Sequence, residues 1–123
     1  MTSEDFFNDL IIQFPSIKAD ILENDPELIH IRMERFADYS IKQIVDNNIQ
    51  ELKKCFDFQE SKIDFMNSDL RNALLVSYCE ALLLGKYADR MKEFIKLMPT
   101  KLSAIYTEYE QWYNDLAERH NHN

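Results

Sequence analysis

Apolar residues recur every three or four positions along almost the whole chain, the spacing that gathers them on one face of an α-helix. Phe6, Phe7, Leu10, Ile11 and Phe14 form the first stripe. Thr2 or Ser3 stands before it as an N-cap residue, and Glu4 and Asp5 follow in the first turn, where the helix dipole favours negative charge. Pro15 ends this helix, and Ser16 opens a short second one striped by Ile17, Ile21 and Leu22. Asp25-Pro26-Glu27 predicts the next helix start: an Asp cap, a Pro whose missing N–H is harmless in the first turn, and an acid behind it. From there Ile29, Met33, Phe36, Ala37, Ser40 and Ile44 line one face to about Asn47.

The pair Asn47-Asn48 breaks the pattern, and Asn48 with Glu51 reads as a capping-box variant. The fourth helix carries Ile49, Leu52, Phe56, Gln59, Ile63 and Met66 at 3-4-3-4-3 spacing, the seam of a helix among antiparallel neighbours. Ser68 is the expected cap of the fifth. Between Leu70 and Leu84 that helix is apolar on most sides, which makes it the central, most buried one. Gly85 is expected as its left-handed C-cap. Tyr87, Met91, Phe94, Ile95 and Met98 predict a sixth helix ended by Pro99. Thr100 then caps a last one striped by Leu102, Ile105, Tyr106, Tyr109, Tyr113 and Leu116. The expected fold is all-α: one domain over residues 1–118, with six to seven antiparallel helices paired as hairpins, and a frayed tail over 119–123. One glycine and three prolines in 123 residues leave little with which to build β-hairpin turns.

Charge sharpens the picture. The chain carries a net −8, and residues 1–27 hold seven acids (Glu4, Asp5, Asp9, Asp20, Glu23, Asp25, Glu27) against Lys18 alone. Such an N-terminal region repels nucleic-acid phosphates and anionic lipid, and it favours a basic partner or simple solubility. No stretch is apolar and long enough to span a membrane; the greasiest, Ala73 to Leu84, is interrupted by Glu80. The acidic N-terminus lacks the basic and apolar regions of a signal peptide. Cys55 and Cys79 fall beside apolar neighbours as free buried thiols, so a cytoplasmic location is expected.

The candidate chemistry is sparse. Glu27-x-x-His30 has the spacing of a di-iron ligand pair, but such a site needs a second copy of the motif and two further glutamates. His120 and His122 lie in the tail and do not supply it, so neither metal nor cofactor is expected, and His30 reads as a packed, hydrogen-bonded histidine. No nucleophile–base arrangement or phosphate-cradling loop is discernible, and no enzyme activity is expected. Glu80 stands alone in the greasiest helix, at its narrow polar edge or, if buried, paired with an Arg or Tyr. Tyr106, Tyr109 and Tyr113 follow the core spacing, whereas Trp112 falls at the rim, where an exposed Trp would be a protein-binding anchor.

Three stretches carry a family resemblance: Phe14-Pro15, the run Leu28 to Tyr39, and Leu52 to Phe58 leading on to Leu70–Glu80. Over roughly residues 5–85 the chain resembles a family of small, acidic, helical bacterial proteins of unknown function, similar in size and character to immunity proteins of toxin systems. The third helix pair also looks like HEAT-type or tetratricopeptide-type hairpins, without the diagnostic repeat. The resemblance implies a bacterial cytosolic protein that binds another protein. The expected function is thus immunity-type inhibition of a basic toxin domain, with Glu4, Asp5, Asp9, Asp20, Glu23, Asp25 and Glu27 occluding its substrate surface. The alternative is a helical adaptor holding a peptide or partner helix in an inter-helix groove. A pocket around His30 and Glu80 would instead favour an enzyme or a small-ligand protein.

Overall fold

The computed structural model describes residues 1–121, which form helices joined by turns and short connections, without a strand among them. Helix α1 (Ser3–Gln13) opens with a reciprocal cap. The Asp5 amide donates to the Thr2 hydroxyl at 3.0 Å, and the Thr2 amide donates to the Asp5 carboxylate at 3.1 Å. Pro15 starts a single 3-10 turn that runs into α2 (Lys18–Leu22).

Helix α3 (Ile29–Val45) does not begin at Pro26. The Leu28 amide donates to the Asp25 carbonyl at 2.9 Å, so the predicted cap residue closes a turn instead. The cause is tertiary. Arg32 is buried, and its guanidinium donates to the Asn24 carbonyl from Nε at 3.1 Å and from Nη2 at 2.7 Å. That clamp holds the chain reversal just before the Asp25 turn. At its other end α3 stops where Asn47 adopts φ 56°, the left-handed conformation Asn tolerates well. The Asn47 amide reaches the Ile44 carbonyl and the Asn48 amide the Gln43 carbonyl at 2.8 Å, a Schellman closure.

Asn48 caps α4 (Ile49–Lys62) as expected, accepting from the Glu51 amide at 3.4 Å. The next cap is Asn67, not Ser68: its Oδ1 accepts from the Leu70 amide at 2.8 Å, which makes Ser68 the first helical residue. The central helix then runs unbroken from Ser68 to Leu84 in three parts: α5 (Ser68–Ala73), a π-helical segment (Leu74–Cys79) and α6 (Glu80–Leu84). Gly85 is extended (φ −71°, ψ 172°), so it is not a left-handed cap. A side chain there would put its Cβ 2.4 Å from the Ala81 carbonyl oxygen, and close approach is the reason for glycine.

The predicted sixth helix is broken up. Between Tyr87 and Met98 only α7 (Ala88–Met91) and a 3-10 turn (Ile95–Leu97) form, stitched by bonds three residues apart such as Phe94 to Met91 and Met98 to Ile95. These tighter turns bring Met91, Phe94 and Met98 into the core in succession. Helix α8 (Thr100–Asn121) follows; His122 and Asn123, the end of the predicted tail, lie outside the described residues.

Helix α3 packs along the π segment and α4, and α8 lies across α4 and the π segment. At the centre, the Phe36 ring stands 5.4 Å from Phe14, 5.7 Å from Phe58 and 5.3 Å from Tyr78, centroid to centroid. These rings join α1, α3, α4 and the central helix, and each buried ring contributes about 1.5–3 kcal/mol of transfer free energy. Among the described residues, no helix is long and apolar enough to cross a membrane.

Candidate functional site

The wider turn of the π segment sets up the most distinctive surface of the molecule. Leu74, Ser77, Tyr78 and Cys79 face inward, while Leu75 and Val76 remain half-exposed. Opposite them on α8 stand Ile105, Tyr109 and Trp112, and between the two walls lies a groove of about 440 Å³ with Arg71 and Glu108 at its rim. Tyr109 is buried, and burial, with the Glu80 carboxylate close by, pushes its hydroxyl up to about 12. Trp112 is 55% exposed, with its ring 5.5 Å from that of Tyr109. The tyrosine therefore serves the core and backs the tryptophan, which stands in solvent at the rim.

Helix α8 is held in place from α4. The Glu60 carboxylate accepts from the Lys101 amide at 3.0 Å and from the Leu102 amide at 2.8 Å, satisfying donors that the first turn of a helix leaves free. The Lys101 ammonium also meets Asp64. A cap supplied 41 residues away in sequence leaves no local signal, so Glu60 is invisible to motif reading. The buried Arg32, whose guanidinium also lies 5.7 Å from the centre of the Phe7 ring, was equally hidden in an unremarkable helix pattern.

The seven N-terminal acids divide. Asp5 belongs to the α1 cap, where the Thr2 amide and then its hydroxyl hold the carboxyl below its usual value. Asp9 bonds the Lys62 ammonium at 2.8 Å across to α4, beside a cleft floored by Phe14 and Phe58. Glu4, Asp20, Glu23, Asp25 and Glu27 are exposed, and none of the ion pairs among the described residues uses them.

The cleft that Glu80 lines does not include His30. The His30 Nδ1 lies 2.8 Å from the Ser77 hydroxyl, so the histidine is packed and hydrogen-bonded, pinning α3 to the π segment. Ser77 and Glu80 line a separate shallow cleft with Glu34, Arg35 and Asp38. Glu80 is half-buried, with Tyr109 as its aromatic neighbour. Among the described residues, no three of His, Cys, Asp and Glu converge as a metal site would require. Cys55 and Cys79 are free and buried, and burial pushes both thiols up to about 12, which makes them inert.

No curated protein and no solved structure matches the chain. One family model does, over residues 7–114, which spans both walls of the groove from α1 into the second half of α8. The chain therefore belongs to that family, described as a domain of unknown function (DUF7674).

Proposed function

We propose that this is a non-catalytic, cytoplasmic protein-binding domain of the helical adaptor type, which holds a helical segment of a partner protein in the groove between the π segment and α8. Trp112 carries the reading. A large aromatic more than half in solvent, at the rim of an apolar groove and backed by a buried tyrosine, has the composition of an interface hot spot. Two free thiols in a helical core suit a reducing compartment. The work done is association alone: the partner's apolar side chains cover Leu75, Val76 and Trp112.

A second reading is immunity-type inhibition through the acidic N-terminal region, favoured by the exposed Glu4, Asp20, Glu23, Asp25 and Glu27, which enter none of the ion pairs among the described residues. Asp5 and Asp9 are engaged inside the fold, which leaves them less for a toxin than their charge suggests.

Binding of a partner captured from the source cell separates the two. Trp112→Ala is expected to weaken it about thirtyfold or more, the loss typical of a hot-spot aromatic, while reversing Glu4, Asp20, Glu23, Asp25 and Glu27 to Lys leaves it nearly unchanged. The opposite pattern would replace the groove by the acidic region. Two variants that both bind normally would refute both.

A further inference from the structure

Helix α8 has two apolar faces. One, through Leu102, Tyr106 and Tyr109, is buried in the chain's own core. The other runs Ile105, Tyr109, Trp112, Leu116 at 4-3-4 spacing, the seam by which one helix packs lengthwise on another. Its outer part is open: Trp112 is 55% and Leu116 36% exposed. The seam spans about 16 Å at the helical rise per residue, so three to four turns of a second helix would cover it.

Its charged edge says what that helix carries. Glu108 and Asp115, seven residues apart and both exposed, flank the seam on its outer side, with Arg119 one turn beyond. The facing cation, Arg71, is tied back, with Nη2 donating to the Ile63 carbonyl at 3.1 Å. We infer that the groove takes an amphipathic helix with lysine or arginine along the flank that meets Glu108 and Asp115. This rests on the groove reading above and adds the partner's chemistry to it. A second copy of this chain fits badly in an antiparallel α8 pair crossing at Trp112, since that register would set Glu108 of one copy beside Asp115 of the other, and like charges at an interface repel.

Trp112 is the only tryptophan in the chain, so its emission reports on this seam directly. The probes are two helical peptides of roughly 18 residues, long enough to span it, without Trp. Both carry Leu at 4-3-4 spacing; one is flanked by Lys and the other by Glu. The Lys peptide is expected to shift Trp112 emission to the blue, with affinity falling as salt rises, and the Glu peptide to bind at least about tenfold more weakly. Glu108→Lys with Asp115→Lys, both at exposed positions, should reverse the preference while the circular dichroism stays unchanged. Equal binding of the two peptides would overturn the charge assignment. No shift with either would overturn the helical occupant, and a cellular partner that still needs Trp112 would then keep the groove itself as the binding site. A blue shift on concentration alone, with a doubled mass in solution, would put a second copy in the groove and overturn the partner helix.

Discussion

Glu60 is the residue on which the α8 wall of the groove depends, and its removal makes a quantitative test. Its two oxygens accept from the Lys101 and Leu102 amides at 3.0 and 2.8 Å. The two bonds are not equivalent when lost. Lys101 is exposed, so water replaces the carboxylate there at little cost, whereas Leu102 is fully buried. A buried amide left without an acceptor costs about 1–3 kcal/mol, and loss of the negative charge at the helix N-terminus adds about 0.3–1 kcal/mol. Glu60→Ala is therefore expected to lose about 1–4 kcal/mol. Glu60→Gln keeps one carbonyl oxygen for Leu102 and should lose about 1–2 kcal/mol. Urea unfolding followed by circular dichroism gives the global loss, and thermal unfolding should show a fall of about 3–5 °C per kcal/mol in a domain of this size. Amide exchange from Ser103 to Tyr106 reads the local effect. A Glu60→Ala variant within about 0.5 kcal/mol of wild type, the range of an ordinary surface change, would refute the cap. Glu60→Gln as damaging as Glu60→Ala would show that charge, not the acceptor at Leu102, carries it.

Two further predictions test the core. Gly85→Ala would ordinarily stabilise by about 0.4–1 kcal/mol through the unfolded chain, since its φ of −71° suits any residue. The Ala81 carbonyl 2.4 Å from the new Cβ reverses the sign, and urea unfolding should show a loss of about 1–3 kcal/mol; a neutral or stabilised variant would refute the close approach. Alkaline pH should unfold the protein cooperatively. Burial raises Cys55 and Cys79 from 9.0 to about 12 and Tyr106 from 10.0 to about 12, so the unfolded chain ionises first. Stability is then whole below pH 9 and falls as pH rises toward 12, by about 1.4 kcal/mol per pH unit for each thiol. Cys55→Ala with Cys79→Ala should flatten that slope even as packing is lost, and an unchanged slope would mean the thiols are not buried as described.

The all-helical fold was legible because its signal is repeated. The stripes of α1, α3 and α4 mark the residues that became buried: Phe6, Phe7 and Leu10; Met33, Phe36 and Ile44; Leu52, Phe56 and Ile63. Caps were legible where the partner is three residues away, as at Thr2 and Asn48. They failed where a distant group decides. Arg32 holds the Asn24 carbonyl and moves the start of α3 past Pro26, and Glu60 caps α8 from another helix. Gln59 shows a different limit. Its spacing places it in the α4 seam, and it is fully buried, with Nε2 donating to the Met33 sulfur at 3.4 Å and Oε1 left without a partner. Spacing located that side chain without revealing the polar cost it carries. The seven acids were legible as charge, but only the structure divides those engaged in the fold from those free in solvent.

The π segment is where both the reading of the fold and the reading of the site turn. A helix apolar on most sides has no phase that periodicity can fix, so the stretch from Leu70 to Leu84 announces burial without saying which residues face which neighbour. The structure resolves this with a wider turn, held by two polar contacts to α3: Ser77 to His30 at 2.8 Å and Tyr78 to Ser40 at 2.7 Å. Their acceptors and donors on α3 lie ten residues apart, about 15 Å along the axis, so adjacent residues of the central helix span most of the interface, the short side chain to one end and the long one to the other. Each such bond contributes about 0.5–1.5 kcal/mol net, and losing it inside an apolar interface would cost more than that. With Ser77 and Tyr78 turned to α3, Leu75 and Val76 stay half-exposed and line the groove opposite Trp112, Val76 also bordering the cleft that Ser77 lines. The groove wall and the polar registration thus belong to one helical segment, on neighbouring residues. The residues that build the groove could be named from the sequence, but their meeting depends on a turn geometry that hydrophobic spacing does not encode.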